Sequence, residues 1–285
     1  MSDILLRTGN LSFGYPERMG LLRKPRLREV IRSVDLTVPR GSVLGLVGES
    51  GSGKTTLGRL LVRLLRPTAG GIKFDGIEIG QLDETELRPL RARIQMIFQD
   101  PQSSLNPRLR LGTTLTRPLS VHGRLNGRRG QRERAAALLD LVGLPTEFAD
   151  RYPHELSGGQ RQRAGIARAL ALEPDFIVAD EIVSGLDVST QAHILLLLKE
   201  LRARLGLTMV FISHDLSVVR VLCDAVAILH HGEIVEYGPV ANVFGAPQHA
   251  YTRRLLAAIP LPDVEPGWLD DAPPVGADQQ QGSAA

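Results

Sequence analysis

The sequence predicts an α/β fold with a largely parallel sheet and one inserted helical portion. Three observations carry this. Short apolar runs of strand length occur at 43–47 (VLGLV), 176–180 (FIVAD) and 208–213 (TMVFIS), and read as buried strands. Segments of helical period alternate with them, the pattern of a parallel sheet. The stretch from about 84 to 160 is richer in helix signals, breaks the alternation and reads as an inserted subdomain.

In chain order, VLGLV follows Pro39-Arg40-Gly41 and leads into a glycine-rich loop, then a periodic helix over 54–65. IQMIF at 94–98 is a second strand. Residues 131–142 form a helix ended by Gly143, and 160–172 a helix stopped before Pro174. After FIVAD, a helix spans 188–205 and closes at Gly206. TMVFIS precedes a short helix that starts at Asp215. AVAIL (225–229) and EIVEY (233–237) predict a hairpin around Gly232. The tail after about residue 264 has no apolar period and reads as disordered. The sequence has no internal repeat.

Composition narrows the function classes. The 285 residues suffice for one large domain with a subdomain, and 43% of them are hydrophobic, so a core can form. Basic and acidic residues nearly balance, 34 against 31, which gives no electrostatic footprint for nucleic acid. The basic stretches 18–28 and 124–134 lack a block of consecutive like charges and read as solvated surface. Cys223 is the single cysteine, so an intramolecular disulfide or a cysteine-held metal cluster is excluded. The N-terminus has no signal-peptide pattern. The longest aliphatic run, Ile194 to Leu198, is far below the roughly 20 residues that span a bilayer. Any membrane association is expected to come through a partner.

Residues 48–55 (Gly-Glu-Ser-Gly-Ser-Gly-Lys-Thr) match G-x-x-x-x-G-K-[ST]. Gly48, Gly51 and Gly53 let the backbone curl so that N–H groups, with those of Ser50 and Ser52, face phosphate oxygens. A helix starting at this point adds its N-terminal partial charge through Lys54, Thr55 and Thr56. Lys54 is expected to reach the β- and γ-phosphates of ATP, and the Thr55 hydroxyl to ligate Mg²⁺. FIVADE at 176–181 ends an apolar strand in two carboxylates, where open α/β sheets place their ligands. Asp180 suits Mg²⁺. Glu181 suits a general base acting on water.

Leu156-Ser157-Gly158-Gly159-Gln160 precedes a helix and makes a second anion cradle, a serine hydroxyl and glycine N–H groups at a helix N-terminus. The simpler reading is a serine N-cap. One ATP does not need two cradles in one chain, so the second is expected to serve a nucleotide held by another subunit.

With these motifs the chain resembles the ABC ATPases from about residue 4 to 262; LSGGQ is the motif most specific to them. The resemblance implies a P-loop NTPase fold with a largely parallel core sheet, an N-terminal antiparallel β portion and the helical subdomain at about 84–160. The ATPase domain would span 1–262, with a C-terminal extension at about 235–262 and a disordered tail over 263–285. It implies head-to-tail pairing of two ATPase domains, each ATP lying between the phosphate loop of one and Ser157, Gly158, Gly159 and Gln160 of the other. Gln99, in IFQDP, resembles the glutamine that contacts Mg²⁺ and relays to the membrane subunit. Asp187, in Ser184-Gly185-Leu186-Asp187, resembles the residue that crosses the dimer interface. His214, in FISHD, resembles the histidine that contacts the γ-phosphate. Tyr15, in LSFGYP, resembles the aromatic that stacks on adenine, with Phe13 as second candidate. Lys54, Gln99, Glu181 and His214 form the implied catalytic set. Thr55, Gln99 and Asp180 form the implied metal set.

Two positions depart from the family pattern. Ile182 stands where proline usually follows the glutamate, and Gly185 where alanine is usual, which removes a φ constraint and adds backbone freedom near the dimer interface. GESGSGKTT, FQDPQSSLNPR (98–108), HAYTRRLLAAIP (249–260) and the insertion at 16–29 resemble the second ATPase of oligopeptide, dipeptide and nickel importers. That resemblance implies a peripheral subunit on the cytoplasmic face of the inner membrane. Its expected partners are a second ATPase (a paralogue ahead of an identical copy), two integral membrane permeases and, indirectly, an extracytoplasmic solute-binding protein, with no nucleic acid. Some relatives carry an iron–sulfur cluster; a single cysteine predicts none here. The alternative on the same residues is an ATPase of a soluble, non-transport complex.

Overall fold

A computed structural model describes residues 4–17, 26–100 and 104–258. The expected tail over 263–285, positions 18–25 of the first basic stretch, residues 101–103 of the FQDPQSSLNPR motif and 259–260 of HAYTRRLLAAIP lie outside the described residues. The described chain forms two compact units.

The first unit comprises residues 4–96, 175–181 and 202–258 and contains two sheets. One is antiparallel: β1 (Ile4–Glu17), β2 (Arg26–Pro39), β4 (Ala69–Phe74) and β5 (Ile77–Glu78), in the order β2-β1-β4-β5. The other is six-stranded: β3 (Val43–Val47), β6 (Ile94–Ile97), β7 (Phe176–Asp180), β8 (Thr208–Ile212), β9 (Ala225–His230) and β10 (Glu233–Pro239). Its order is β10-β9-β3-β8-β7-β6. The pairs β7–β8, β8–β3 and β3–β9 are parallel, and β10 runs antiparallel to β9. Every residue of β3, β7 and β8 is buried, which is why these strands read as continuous apolar runs.

Helix α1 (Lys54–Leu61) follows β3 after the turn at 48–53 and packs on β7 and β8. Gly58 allows that approach: a Cβ there would lie 2.7 Å from Ile212 Cδ1 and 3.1 Å from Val178 Cγ1. The helix stops at Leu61, short of the Leu65 expected from periodicity. Arg63 takes φ 55°, and its guanidinium turns inward to donate to Ile79 O at 2.7 Å and Leu82 O at 2.7 Å. Helix α2 (Glu84–Arg91) starts in a capping box between Asp83 and Glu86, and Arg91 donates to Val62 O and Arg63 O. These bonds place 84–91 in the first unit, so the helical unit begins later than the expected residue 84.

The second unit comprises 97–174 and 182–201. It contains α3 (Leu111–Val121), α4 (Gly127–Leu141), 3-10 turns at Thr146–Asp150 and Pro153–Glu155, α5 (Gly158–Leu170) and most of α6 (Val188–Leu205), whose last turn from Arg202 belongs to the first unit. Leu111, Leu115 and Leu119 recur every four residues on α3 and are buried with Leu139, Phe148 and Ile166. In the first unit, α7 (Leu216–Leu222) starts at the N-cap Asp215, and the described residues end in α8 (Val240–Gly245) and α9 (Ala250–Ala258). Among the described residues, no helix is long and apolar enough to cross a membrane.

Candidate functional site

The phosphate-binding pattern occupies the turn from β3 into α1. At its start, Gly48 is pressed against the neighbouring strand: a Cβ would lie 2.2 Å from Leu229 O. Within the turn, Ser52 N donates to Glu49 O, while Gly51 (φ 80°) and Gly53 (φ 107°) take left-handed conformations that glycine adopts without strain. Gly53 is the N-cap of α1 and supplies no side-chain oxygen, and no acidic residue stands in the first turn. The leading N–H groups of α1 therefore keep their capacity for an anion.

Lys54 is 5% exposed and folds back on the loop, donating from Nζ to Gly48 O and Glu49 O, both at 2.8 Å. Burial draws its pKa down, opposed by the charges of Glu181, Asp180 and Glu49. Thr55 Oγ1 donates to Asp180 Oδ1 at 3.1 Å, joining the loop to the end of β7. Asp180 is 3% exposed, and burial raises its carboxyl above the ordinary range, with Glu181 adding to the rise and Thr55 opposing it. Glu181 follows with φ 47°, a strained conformation for a residue with a Cβ, held by its N–H donating to Ile212 O at 3.0 Å. Its carboxylate lies 3.5 Å from His214 Nδ1. Thus Lys54, Thr55, Asp180, Glu181 and His214 gather around one loop at the C-terminal ends of β3, β7 and β8.

The residues fit a triphosphate and a divalent ion. The Ser52 hydroxyl is buried inside the loop with no protein partner among the described residues. Thr55 and Asp180 bring two hard oxygen donors together beside it, a set suited to Mg²⁺ when phosphate and water complete the shell. Tyr15 stands near the end of β1, 39% exposed, with its ring edge-on to Phe13 at 4.8 Å. Ser50 is exposed on the loop and Thr56 half-buried in the first turn of α1.

A cavity of about 560 Å³ opens beside the loop, lined by Gly51, Ser52, Arg28, Arg32 and His231 among others. No local pattern marks Arg32 or His231; the pairing of β2 and the β9–β10 turn brings them there.

The remaining expected residues belong to the second unit. Ser157 is the N-cap of α5: its Oγ accepts from Gln160 N at 3.3 Å, and Gln160 Oε1 accepts from Ser157 N at 3.0 Å. A Cβ on Gly158 would meet nothing closer than Leu186 Cδ2 at 3.8 Å, whereas one on Gly159 would meet Thr190 Cγ2 at 2.6 Å. Asp187 accepts from Thr190 N at 2.9 Å and Thr190 Oγ1 at 2.7 Å, capping α6; the Thr190 backbone bond holds its carboxyl below the usual range. Gln99 is exposed, just after β6. Ile182, where the family has proline, is 1% exposed, so burial holds it in place of a ring. Gly185 has φ 76°, a conformation that would strain an alanine by about 1–2 kcal/mol.

Residues 31–184 match the family described as ABC transporter. The chain is 52% identical over 262 residues to a Brucella ovis protein named for peptide import and ATP binding, covering 92% of this chain and 80% of that one. It is 50% identical over 265 residues to a Sinorhizobium fredii protein named as the ATP-binding protein of a peptide ABC transporter, covering 92% and 74%. Among solved structures it resembles a dimeric ATP-binding cassette in a post-hydrolysis state bound to ADP and Pi, with TM-score 0.73 and 32% identity over 83% of this chain and 99% of that one. It also resembles a chain of the cbiONQ ABC transporter complex of Clostridium perfringens, with TM-score 0.74 and 27% identity over 86% and 92%.

Proposed function

The chain belongs to the ABC transporter family, and from that premise we propose that it is the ATP-hydrolysing subunit of a peptide importer, driving separate membrane permeases. The observation that carries the chemistry is the hydrogen bond from Thr55 to Asp180, which joins the phosphate loop to the acidic strand end beside Glu181 and His214.

Lys54 leaves Gly48 O and Glu49 O to meet the β- and γ-phosphates. Its release is favoured because it exchanges two carbonyls for full anionic charge in a buried site. The N–H groups of the loop and of the first turn of α1 hold the remaining phosphate oxygens. Thr55 and Asp180 are the proposed holders of Mg²⁺, which would neutralise phosphate charge there. Glu181 orients and polarises the attacking water. His214, within 3.5 Å of Glu181, contacts the γ-phosphate and stabilises charge that develops there. Tyr15 stacks on the adenine ring.

Ser157, Gly158, Gly159 and Gln160 are proposed to face the nucleotide of a second ATPase, a paralogue rather than an identical copy, with Asp187 at that interface. The capped start of α5 supports this, since Ser157 leaves the N–H groups of Gly158 and Gly159 without a side-chain acceptor. The subunit is placed at the cytoplasmic face of the inner membrane through its permease partners, with a solute-binding protein acting on the far side.

Glu181→Gln tests the assignment. ATP hydrolysis by the chain mixed with its partner ATPase is expected to fall by at least about 100-fold, the scale of general-base loss, while ATP binding persists and the pair accumulates on size exclusion. Turnover at the wild-type rate would remove Glu181 from the reaction.

A further inference from the structure

The C-terminal HAYT motif has a structural role at the phosphate loop. Tyr251 stands in the first turn of α9, 2% exposed, and its hydroxyl oxygen accepts a hydrogen bond from Glu49 N at 3.0 Å. The same peptide segment is held from its other side, where Glu49 O accepts from Lys54 Nζ at 2.8 Å and from Ser52 N at 3.2 Å. Glu49 is therefore clamped between the C-terminal helix and the lysine assigned to the phosphates.

Tyr251 is itself anchored. Its ring stacks on His230 at the end of β9, with centroids 3.8 Å apart and planes at 30°. The start of α9 is pinned by Glu236 of β10, whose carboxylate oxygens accept from Gln248 N at 2.8 Å and His249 N at 3.0 Å. His249 Nδ1 accepts from Tyr251 N at 3.1 Å. Burial pushes the Tyr251 phenol up, so it stays neutral throughout the physiological range.

We infer that Tyr251 is a positioning residue for nucleotide binding: through Glu49 N it holds the leading peptide of the phosphate loop in the curled form that receives the phosphates. The inference rests on reading this loop as the ATP site. Tyr251 touches no phosphate itself. Its effect falls on binding, because the loop must be shaped before the nucleotide arrives.

Tyr251→Phe is the test, since it keeps the stacked ring and removes only the acceptor. A fluorescent ATP analogue titrated into the full chain reads Kd, steady-state hydrolysis reads KM and kcat, and nucleotide-free melting reads folding. We expect Kd and KM to rise about fivefold, the scale of one neutral hydrogen bond, with kcat within twofold of wild type and little change in melting. Unchanged Kd and KM, even with a lower melting temperature, would mean a purely structural tyrosine and overturn the inference. A fall in kcat at constant KM would also overturn it. Should the wild-type chain bind no ATP, the reading of the site fails as well; normal wild-type binding with unchanged Tyr251→Phe binding sinks the positioning role alone.

Discussion

Substituting Gly48 by alanine puts a single methyl group where the structure has no room. The added Cβ would stand 2.2 Å from Leu229 O and 2.8 Å from Ser52 Oγ. The serine can rotate, but the carbonyl cannot: it belongs to β9, which is paired on one side with β3 and on the other with β10. Ordinary contact between such atoms begins a little above 3 Å, so the loop must retreat by about 1 Å. A displacement of that size in a catalytic constellation costs on the order of 100-fold in rate, or about 2.7 kcal/mol of transition-state stabilisation. Gly51→Ala provides the comparison. It has open space around the added methyl but φ 80°, so it carries only the left-handed penalty of about 1–2 kcal/mol without pushing the loop away from the phosphates. The assay is kcat/KM for ATP on both variants, with thermal melting to verify folding. A kcat/KM for Gly48→Ala within about threefold of wild type would refute the argument that the strand behind the loop dictates its position.

Asp75 accepts hydrogen bonds from Arg40 and Arg93, both at 2.6 Å, and the Arg93 bond holds its carboxyl below the usual range. A depressed acid stabilises the fold above its unfolded pKa and loses that contribution as pH falls through the folded value. Asp75→Asn should therefore lower the melting temperature at neutral pH by an amount that starts to shrink only below about pH 4 and vanishes below the depressed folded pKa, and the loss should stay within about 1 kcal/mol because the side chains are a third exposed. Gly159→Ala would drive its methyl into Thr190 Cγ2 at 2.6 Å and cost about 1–3 kcal/mol in urea denaturation. Thr190→Ser removes that methyl but keeps the hydroxyl bonded to Asp187, so the double variant should recover most of the loss; no recovery would show that the clash lies elsewhere. Cys223 is buried, which raises its thiol pKa, so iodoacetamide at pH 8 should leave it unmodified in the folded chain and alkylate it fully in denaturant.

What could be read from the sequence was what a few adjacent residues determine. Strands β3, β7 and β8 are apolar throughout because both faces are covered, and such runs are visible without any partner. The turn at 48–53 needs positive φ at Gly51 and Gly53, and those glycines announce it. Helix α6 was legible residue for residue, bounded by the Asp187 cap and Gly206. What stayed hidden depends on distant pairing. β1 and β2 are long, broken in register and half exposed, so their alternation is blurred. The hydrogen bond between Tyr251 and Glu49 joins residues 202 positions apart, and no local pattern encodes it. The strained φ at Glu181 was equally invisible, since a glutamate at that angle is set by the bond from its N–H to Ile212 O on the neighbouring strand.

The β9–β10 turn resembles an ordinary hairpin tip, the kind of site commonly chosen to insert an epitope tag or a fluorescent reporter. Here that choice would be a mistake. Gly232 N donates to Ser52 O at 3.1 Å, Gly232 O accepts from Arg32 N at 2.8 Å, and even a Cβ would meet Val30 O at 2.2 Å. The tip is a rivet through the phosphate loop and the antiparallel sheet. Gly123 is the better graft point, since a Cβ added there would meet nothing within 4 Å and, at φ 66°, its N–H bonds back to its own helix at Ser120 O.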